Sequence, residues 1–439
     1  MVASPQQPEP SVSAQRPDDP QLNWRTCWYP ITFAVDLPAD QPYGFSIFAE
    51  PFVIFRDHQD KLVCLVDRCP HRLAKLSDGR VTAGRLECLY HGWQFGDNGT
   101  CLHIPHLLEG ATVPDRAHTQ SFPVQEQQGI IWVWADGDVP PTPVAPPAIA
   151  DLETDGVFQV DTATDLPFDH TFLVENLLDP AHVYISHGGT ELNISRDDAA
   201  PLDLEVLATS VDGIQGRFRR ADRPQTPWIK LTFHAPMLVH YDFSNPTYGV
   251  IGGLGLYALP VAPGHSRILM RRYGTFFKRN FTLKPRWLEH LRQNKILEED
   301  LAFIVAQDRF FHESGQSIKS AYFPLKHCDT LVMAHRRWLD RFGQDLPWYV
   351  GFATVKATTV SQESQGFSTR FERHTQSCQA CRGAYEQLIL LRQAGWAGAV
   401  TSIALALVTE GPTHMVFVLS FLLAMVAISA ARALETRFL

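Results

Sequence analysis

Basic residues are scarce in this chain, and this shortage argues against a protein that binds nucleic acid through a broad basic surface. Lys and Arg number 38 against 47 Asp and Glu, which gives a formal net charge of -9. That balance leaves no broad basic field to neutralise phosphates, so we expect no nucleic-acid partner. Charged residues make up only 19% while hydrophobic residues make up 45%, which excludes a wholly disordered or fibrous chain.

Cysteine is also rare, and its placement matters more than its number. Eight cysteines in 439 residues are too sparse for a disulfide scaffold. Two of them lie close to histidines and two form a C-x2-C, a clustering that indicates metal or redox chemistry. The length favours two or three domains.

The first 22 residues are rich in Pro, Gln, Ser and Asp and offer almost nothing to bury. We predict a disordered arm over 1–22. The segment lacks the apolar core of a secretory signal, and its single Arg is atypical of an Arg-rich transit peptide. We therefore expect the mature protein to begin here.

Short strands with turn signals follow over 23–141 and predict a small all-β domain. Two apolar, β-branched runs, at 52–55 and 62–66, are joined by a polar segment, as in a hairpin. The proline-rich stretch 139–147 predicts a stiff linker. Further strand-like runs and a long helical stretch predict an α+β domain over 150–354, with a curved antiparallel sheet and long helices.

The tail differs in kind from the rest of the chain. A polar linker over 355–387 precedes a predicted helical hairpin at 388–432, which contains two uncharged apolar runs. Each run approaches the length that crosses the ~30 Å hydrocarbon core of a bilayer, so we predict two transmembrane helices. The alternative is a helical hairpin buried in a soluble core. Arginines flank the hairpin and its turn has none, so the positive-inside rule places the soluble domains on the cytoplasmic or stromal side.

One cysteine and one histidine recur in two short segments, as Cys69-x-His71 and Cys88-x2-His91. Two Cys and two His also suit a tetrahedral zinc ion, but zinc-finger spacing groups Cys with Cys and His with His. Here each segment presents one of each, which suits two irons bridged by sulfide, one bound by thiolates and the other by imidazoles. The surrounding residues, CPHR and YHGWQF, resemble the cluster loops of Rieske proteins. We therefore predict a Rieske [2Fe–2S] cluster bound by these four residues.

A second constellation, D-x2-H-x4-H, comprises Asp179, His182 and His187. Alone it is weak, because His-x4-His pairs arise by chance in a chain with 18 histidines. Residues five apart on a continuous helix sit about 140° apart, so a shared metal requires the helix to end between them. Gly188-Gly189 supplies a stop signal. The alternative is two surface histidines beside a helix cap.

Together the two constellations resemble the Rieske non-haem iron oxygenases. In that family a 2-His-1-carboxylate triad follows the cluster domain and leaves positions on Fe(II) open for O2. The family pattern N-x2-D-x2-H-x4-H matches Asn176, Asp179, His182 and His187 one for one. The resemblance implies mononuclear Fe(II) as a second cofactor, with His182 and His187 as ligands and Asn176 in the catalytic site.

The resemblance also implies a third ligand and a bridging residue. The family takes its third ligand from an Asp on a distant long helix, and residues 297–304 match its pattern there. Asp300 is the implied ligand, with Asp308 about two turns further on as the alternative. Asp179 is implied to link a cluster histidine of one subunit to an iron-ligand histidine of the next, in a homotrimer with head-to-tail contacts.

Three segments, 28–30, 67–95 and 294–300, narrow the resemblance to the pheophorbide a oxygenase group, which includes chlorophyllide a oxygenase and translocon-associated relatives. Cys378 and Cys381 form a C-x2-C before the hairpin, as in several members. In that context a redox dithiol that thioredoxin addresses is implied. Alone, the motif is also consistent with coincidence or with part of a zinc site.

The resemblance implies a membrane-anchored monooxygenase that takes electrons from a ferredoxin or similar reductase. It would use O2 to oxidise an apolar, chlorophyll-derived tetrapyrrole, such as pheophorbide a or a chlorophyllide. Membrane lipid is then a further partner, in a thylakoid or plasma membrane if the source is a cyanobacterium. The alternative, from another class, is a redox-sensing subunit of a membrane complex, regulated through its C-x2-C dithiol.

Overall fold

The computed structural model describes residues 19–141, 144–191, 194–275, 284–356 and 369–439. Four predicted segments fall partly outside the described residues. These are most of the N-terminal arm (1–18), two residues of the proline-rich linker (142–143), two stretches of the α+β domain (192–193 and 276–283) and part of the polar linker before the tail (357–368).

Residues 19–22, which we assigned to a disordered arm, are held against the second domain. Asp19 forms an ion pair with Arg341 at 2.6 Å, and the backbone N–H of Leu22 donates to the carbonyl of Phe342 at 2.8 Å. These polar groups therefore have partners distant in sequence, although the predicted arm extends to residue 22.

The N-terminal part is an antiparallel β domain, as predicted. Its strands are β1 Trp28–Phe33, β2 Tyr43–Ile47, β3 Glu50–Arg56, β4 Leu62–Val66, β5 Arg80–Thr82, β6 Arg85–Glu87, β7 Gln94–Phe95, β8 Cys101–His103, β9 Ser121–Phe122, β10 Val124–Gln127 and β11 Ile130–Trp134. They form sheets in the orders β1-β11-β10, β2-β3-β4-β9 and β5-β6-β7-β8. The predicted hairpin is confirmed as β3 and β4, in which Ile54 pairs with Cys64.

A seven-stranded antiparallel sheet forms the centre of the second domain. Its strands are β12 Phe158–Leu166, β13 Leu202–Ser210, β14 Gly213–Arg220, β15 Ile229–His234, β16 Leu238–Asp242, β17 Gly252–Ala262 and β18 His265–Gly274. The order is β12-β18-β17-β16-β15-β14-β13, so every strand pair except β12-β18 is a hairpin between consecutive strands. A small pair, β19 Tyr349–Val350 and β20 Val355–Lys356, lies apart from this sheet.

Helices carry the candidate iron ligands and cover the sheet. They are α1 His170–Leu177, α2 His182–Ser186, α3 Arg286–Ser314, α4 Ile318–Ala321 and α5 Lys326–Phe342. The long helix α3 was predicted, whereas α5 was not. The buried residues of α5 recur at helical spacing, as in Leu331, His335, Trp338 and Phe342, and this period in the sequence indicates an amphipathic helix.

The two domains share a hydrophobic core. Tyr29 and Phe48 of the β domain belong to the same buried cluster as Phe172 of α1 and Leu331 of α5. The cluster loops have a separate small core, which includes Cys69, Cys88 and Phe95 among its members. The described part of the proline-rich segment therefore connects two domains that are already packed together.

The C-terminal helical hairpin is confirmed as α6 Gln379–Val408 and α7 Pro412–Glu435. Helix α6 begins at Gln379, inside the segment that we predicted to be a linker as far as residue 387. Only 6% and 11% of the most apolar windows of the two helices are buried, which contradicts a hairpin buried in a soluble core. Both helices are long and apolar enough to cross a membrane.

The two helices pack closely at the end of the hairpin that lies nearest to the two domains. A Cβ added at Gly395 would lie 2.8 Å from Ile428, so the helices approach too closely there for a larger side chain. Nearby, Arg392 of α6 forms an ion pair with Glu435 of α7 at 3.1 Å. These contacts pair the start of the apolar part of α6 with the end of α7.

Candidate metal centres

Two loops of the β domain bring together the four predicted cluster ligands. In each loop the cysteine N–H donates to the carbonyl five residues on, from Cys69 to Ala74 at 2.8 Å and from Cys88 to Trp93 at 2.9 Å. In each, the cysteine carbonyl accepts from the residue four positions on. Gly92 has a φ of +74°, and a Cβ there would lie 2.8 Å from Pro105, so this position requires glycine.

The side chains in these loops fit a cluster better than a single ion. The cysteines are buried, while the rings of His71 and His91 lie 4.4 Å apart near the surface. The Nδ1 atom of His71 is buried and has no hydrogen-bond partner among the described residues, which suits a nitrogen aimed at a metal. Burial raises the pKa of the Cys69 thiol to about 11, so a bound metal is needed to keep its thiolate.

The predicted iron histidines lie on a single short helical turn. Asp179 begins the turn, because its Oδ1 accepts the backbone N–H of Ala181 at 2.8 Å. Helix α2 then ends at Ser186, and His187 takes a non-helical conformation. The early end of the helix lets His182 and His187 face the same point, as their spacing requires.

Helix α3 supplies the carboxylate at that point. The Oδ2 atom of Asp300 lies 3.4 Å from Nε2 of His182 and 3.2 Å from Nε2 of His187. Asn176 Nδ2 donates to the same oxygen at 3.2 Å. His182, His187 and Asp300 each have a donor atom within 4.8 Å of the others, so the three residues can bind one metal ion. Two imidazoles and one carboxylate suit non-haem Fe(II).

Asp308, the alternative third ligand, has other partners. Its Oδ2 accepts the backbone N–H of Asp169 at 3.3 Å, and its Oδ1 lies 3.2 Å from Nε2 of His312. These contacts link α3 to the start of α1. The structure therefore brings Asp300, and not Asp308, to the histidines.

A carboxylate lies beside the outer nitrogen of each iron histidine. Asp179 Oδ2 is 3.5 Å from Nδ1 of His182, and Glu299 Oε2 is 3.0 Å from Nδ1 of His187. Carboxylates in such positions keep the proton on Nδ1 and direct the Nε2 lone pair to the metal. Our sequence reasoning missed Glu299. The sequence shows only that Glu299 directly precedes Asp300, and this position does not indicate that its partner is His187.

The electrostatics of this group favour a cation. Burial opposes a charged His182, but hydrogen bonds to Asp179 and Asp300 raise its pKa to about 10. Burial would likewise raise the pKa of Asp300, but the two imidazoles hold it well below its ordinary range. The group therefore stabilises added positive charge, which a divalent metal ion supplies.

A cavity of about 420 Å³ opens beside these residues. Asn176, Asp179, His182 and Asp300 form part of its polar wall. Its apolar wall consists of Phe172, Phe303, Ile304, Tyr322 and Val332. Ligand pockets commonly measure about 300–1,000 Å³ and combine apolar walls with a few polar groups, so this cavity is a candidate substrate site.

Comparison with known families matches both parts of the chain. The Rieske [2Fe-2S] domain family matches residues 27–123, and the pheophorbide a oxygenase family matches residues 233–317. The first range contains both cluster loops and the second contains Asp300.

Curated relatives match most of the chain. Protein TIC 55 of Arabidopsis thaliana is 32% identical over 415 residues, which cover 88% of this chain and 77% of the relative. Pheophorbide a oxygenase of Oryza sativa subsp. japonica is 31% identical over 436 residues, covering 92% of this chain and 80% of the relative. Both relatives are chloroplastic.

Solved structures share the fold at lower identity. Dicamba monooxygenase bound to dicamba has a TM-score of 0.59 and 21% identity, covering 72% of this chain and 96% of that one. NdmA of Pseudomonas putida CBB5 has a TM-score of 0.57 and 20% identity, covering 77% and 98%. The fold, the matched families and the identity to its relatives agree. This chain belongs to the Rieske non-haem iron oxygenases, in the group of pheophorbide a oxygenase and TIC 55, and its cofactors are a [2Fe–2S] cluster and mononuclear iron.

Proposed function

We propose that this oxygenase is membrane-anchored and oxidises a chlorophyll-derived tetrapyrrole with electrons from a ferredoxin or similar reductase. The observation that carries the proposal is the convergence of His182, His187 and Asp300 beside a cavity with one apolar wall. Relatives named for pheophorbide a and chlorophyllide a support a tetrapyrrole as substrate.

The two cofactors are assigned to the two groups of residues described above. Cys69, His71, Cys88 and His91 would bind the cluster, and His182, His187 and Asp300 would bind the mononuclear iron. When bound, the cluster supplies single electrons and the iron supplies oxygen activation. The protein itself contributes orientation, a cavity and anchoring.

Orientation depends on hydrogen bonds around the iron ligands. The Glu299 carboxylate accepts a hydrogen bond from Nδ1 of His187 at 3.0 Å, and the Asp179 carboxylate lies 3.5 Å from Nδ1 of His182, so both carboxylates favour the tautomer that directs Nε2 to the metal position. Asn176 donates to Asp300 Oδ2 and restrains the carboxylate. These contacts set the ligand geometry before substrate enters.

The cavity suits a flat, apolar ring system. Tyr322 and Phe303 provide aromatic surface, and 66% of Phe303 is exposed, so it is accessible to a ligand. Phe323, next to Tyr322 in the chain, is 89% exposed. A substrate that partitions into lipid can pack on such exposed aromatic side chains while part of its ring enters the cavity.

The hairpin suits the same kind of substrate. Its helices expose large apolar side chains along their length, including Leu407, Leu423 and Val426. Trp396 lies four residues after Arg392, where an aromatic residue can mark the membrane interface. By the positive-inside rule, the arginines outside the apolar runs support an orientation with the two domains on the cytoplasmic or stromal side, in a thylakoid or plasma membrane if the source is cyanobacterial.

We also propose a homotrimer in which the cluster loops of one subunit meet the iron site of the next. Leu73, Leu89 and Tyr90 surround the cluster histidines and are 69%, 58% and 60% exposed. Exposed apolar residues beside redox ligands suit docking to a neighbouring subunit or an electron donor. Asp179 would bridge the two sites at that contact.

The test is oxygen incorporation by the full-length protein in lipid nanodiscs. The protein receives reduced ferredoxin, ¹⁸O2 and, separately, pheophorbide a, chlorophyllide a, protochlorophyllide and a flavone. We expect ¹⁸O in one tetrapyrrole product and none with Asp300→Asn.

Two outcomes would contradict this proposal. A labelled flavone alone would replace the substrate class with a flavonoid, as in the name of a relative from Ocimum basilicum, flavonoid 8-hydroxylase 2. Oxygen consumption without any labelled product would favour the redox-sensing subunit.

A further inference from the structure

The C-x2-C of the tail lies against two histidines from elsewhere in the chain. His290 is in α3, and His374 is in a helical turn at Phe371–Thr375. Nδ1 of His290 lies 3.4 Å from Sγ of Cys378 and 3.5 Å from Sγ of Cys381. Nε2 of His374 lies 3.2 Å from Sγ of Cys381.

These distances match the edges of a tetrahedral metal site. Each of the four residues offers a donor atom within 4.8 Å of the other three. Zinc bonds of ~2.0–2.3 Å to nitrogen and sulfur place neighbouring ligand atoms ~3.3–3.8 Å apart in a tetrahedron. The observed N···S separations lie at or close to this range.

Both histidines are also held in the orientation that a metal requires. Nε2 of His290 lies 2.8 Å from the carbonyl of Asp161, and Nδ1 of His374 lies 2.6 Å from the carbonyl of Ala163. A carbonyl oxygen only accepts, so these nitrogens carry the protons. The opposite nitrogens therefore present lone pairs to the sulfurs, as in metal sites where a carbonyl fixes the tautomer.

The group is closed to solvent. The exposed fractions are 0% for His290, 1% for His374, 4% for Cys378 and 1% for Cys381. Four buried protein ligands with no open position are typical of structural zinc. The same burial leaves little access for a thioredoxin thiolate, which a redox dithiol requires.

We propose that His290, His374, Cys378 and Cys381 bind a structural zinc ion that fixes the membrane hairpin to the catalytic domain. Two thiolates balance the charge of Zn²⁺, and a mixed set of sulfur and imidazole suits it. The ion would join the first turn of α6 to α3. His290 precedes Asp300 by ten residues on that helix, or ~15 Å along its axis.

Metal analysis of the full-length protein tests this inference independently of oxygenation. The protein is purified in detergent with a histidine-free tag, and zinc and iron are measured by mass spectrometry. We expect one zinc per chain beside three irons. Zinc-edge X-ray absorption of the wild type should show two sulfurs at ~2.3 Å and two nitrogens at ~2.0 Å.

Variants then assign the ligands. Cys381→Ser and His290→Gln should each lose at least 90% of the zinc, and the Rieske paramagnetic resonance signal reports whether the protein is folded. Cys27→Ser is the matched control, because Cys27 is a free cysteine whose Sγ donates to Asn23. It should keep its zinc.

Three results would overturn the inference. They are a wild type with less than a tenth of a zinc per chain, a zinc edge without sulfur neighbours, and full zinc retention in Cys381→Ser. A zinc-free wild type with a Cys378–Cys381 disulfide would restore the redox dithiol instead.

Discussion

Two neighbouring residues of α3, Glu299 and Asp300, contact the two different nitrogens of the His187 imidazole. Asp300 lies 3.2 Å from Nε2 of His187, while Glu299 lies 3.0 Å from its Nδ1. Thr190 Oγ1 donates to the other oxygen of Glu299 at 2.6 Å, which restrains the carboxylate. Glu299 is therefore a positioning residue, because its carboxylate acts through His187.

Glu299→Gln should weaken iron binding while leaving the cluster intact. The amide cannot orient and polarise His187 as a carboxylate does, and losses of about 10–100-fold in metal affinity are typical of such changes. The measurement is iron retained after dialysis against a graded chelator. Glu298→Gln is the neighbouring control, since Glu298 pairs with Arg370 and Arg373 instead. Equal iron affinity in the two variants would show that Glu299 does not position His187 for iron binding.

Asp300→Asn and Asp308→Asn should separate the two carboxylates of α3. The first should lower the iron content from three towards two atoms per chain and abolish turnover, because an anionic ligand is lost. The second should keep three, because Asp308 faces Asp169 and His312. The measurement is the iron content of each variant, relative to the amount of Rieske cluster given by its paramagnetic resonance signal. The reverse pattern would transfer the ligand role to Asp308.

Among the elements, α5 is joined by an ion pair to α1, the helix that carries Asn176 of the iron site. Arg336 is fully buried and its guanidinium pairs with Glu175, which precedes Asn176 in α1. Arg336 also donates to the carbonyl of Val350 at 2.6 Å, and Tyr322 donates to Glu175 at 2.8 Å. This network connects α1 to α5 at the wall of the cavity, where Glu175 and Tyr322 are lining residues.

Arg336→Met should destabilise the protein by about 3–5 kcal/mol, because it leaves the Glu175 carboxylate buried without its cation. The shift in urea midpoint, followed by tryptophan fluorescence, measures the loss. Arg337→Met is the control, since Arg337 stacks on Phe352 and should contribute below about 1 kcal/mol. Equal midpoints for the two variants would show that the buried pair has no net effect.

The base of the hairpin packs against the two domains. Tyr385 of α6 and Phe438 after α7 pack around Cys378 and Cys381, and Phe438 is fully buried. Asp36 of the β domain accepts the backbone N–H of Gln379 at 3.0 Å, at the start of α6. The apolar part of the hairpin thus begins beyond Arg392.

Replacing residues 394–431 with a short Gly/Ser loop should therefore release a soluble enzyme. The full chain should sediment with membranes, while the shortened chain should remain in the supernatant without detergent and keep its Rieske signal. The reason is that the exposed apolar surface is removed while the packed base remains. A full-length chain that stays soluble without detergent would contradict the membrane assignment.

At the scale of the molecule, Asp179 has two observed roles and one proposed role. It caps the turn that carries His182 and faces the Nδ1 atom of that histidine. Its side chain retains 22% exposure, so one side is available to a neighbouring subunit.

Asp179→Asn should leave the cluster and three irons in place but reduce turnover by orders of magnitude. No ligand is lost, yet the charged bridge between subunits is removed. Turnover, iron content and mass by light scattering are measured together. Wild-type turnover in this variant, or a fully active monomer, would exclude the inter-subunit route.

The sequence alone determined the features whose chemistry is local. The cluster ligands lie within two short loops, the iron histidines lie within six residues, and each hairpin helix contains one long apolar run. Spacing and run length carry the cluster and the hairpin, whereas mononuclear iron was predicted through the family resemblance, because the His-x4-His spacing is weak alone. Asp300 was reached through resemblance to a family pattern rather than through spacing.

Only the tertiary structure decided which distant residues meet. Glu299 contacts a histidine 112 residues away, and His290 meets Cys378 across 88 residues. The order at residues 19–22 and the shared core of the two domains also depend on long-range packing. A local pattern cannot encode such contacts, because they exist only after the sheet and α3 have brought separate segments together.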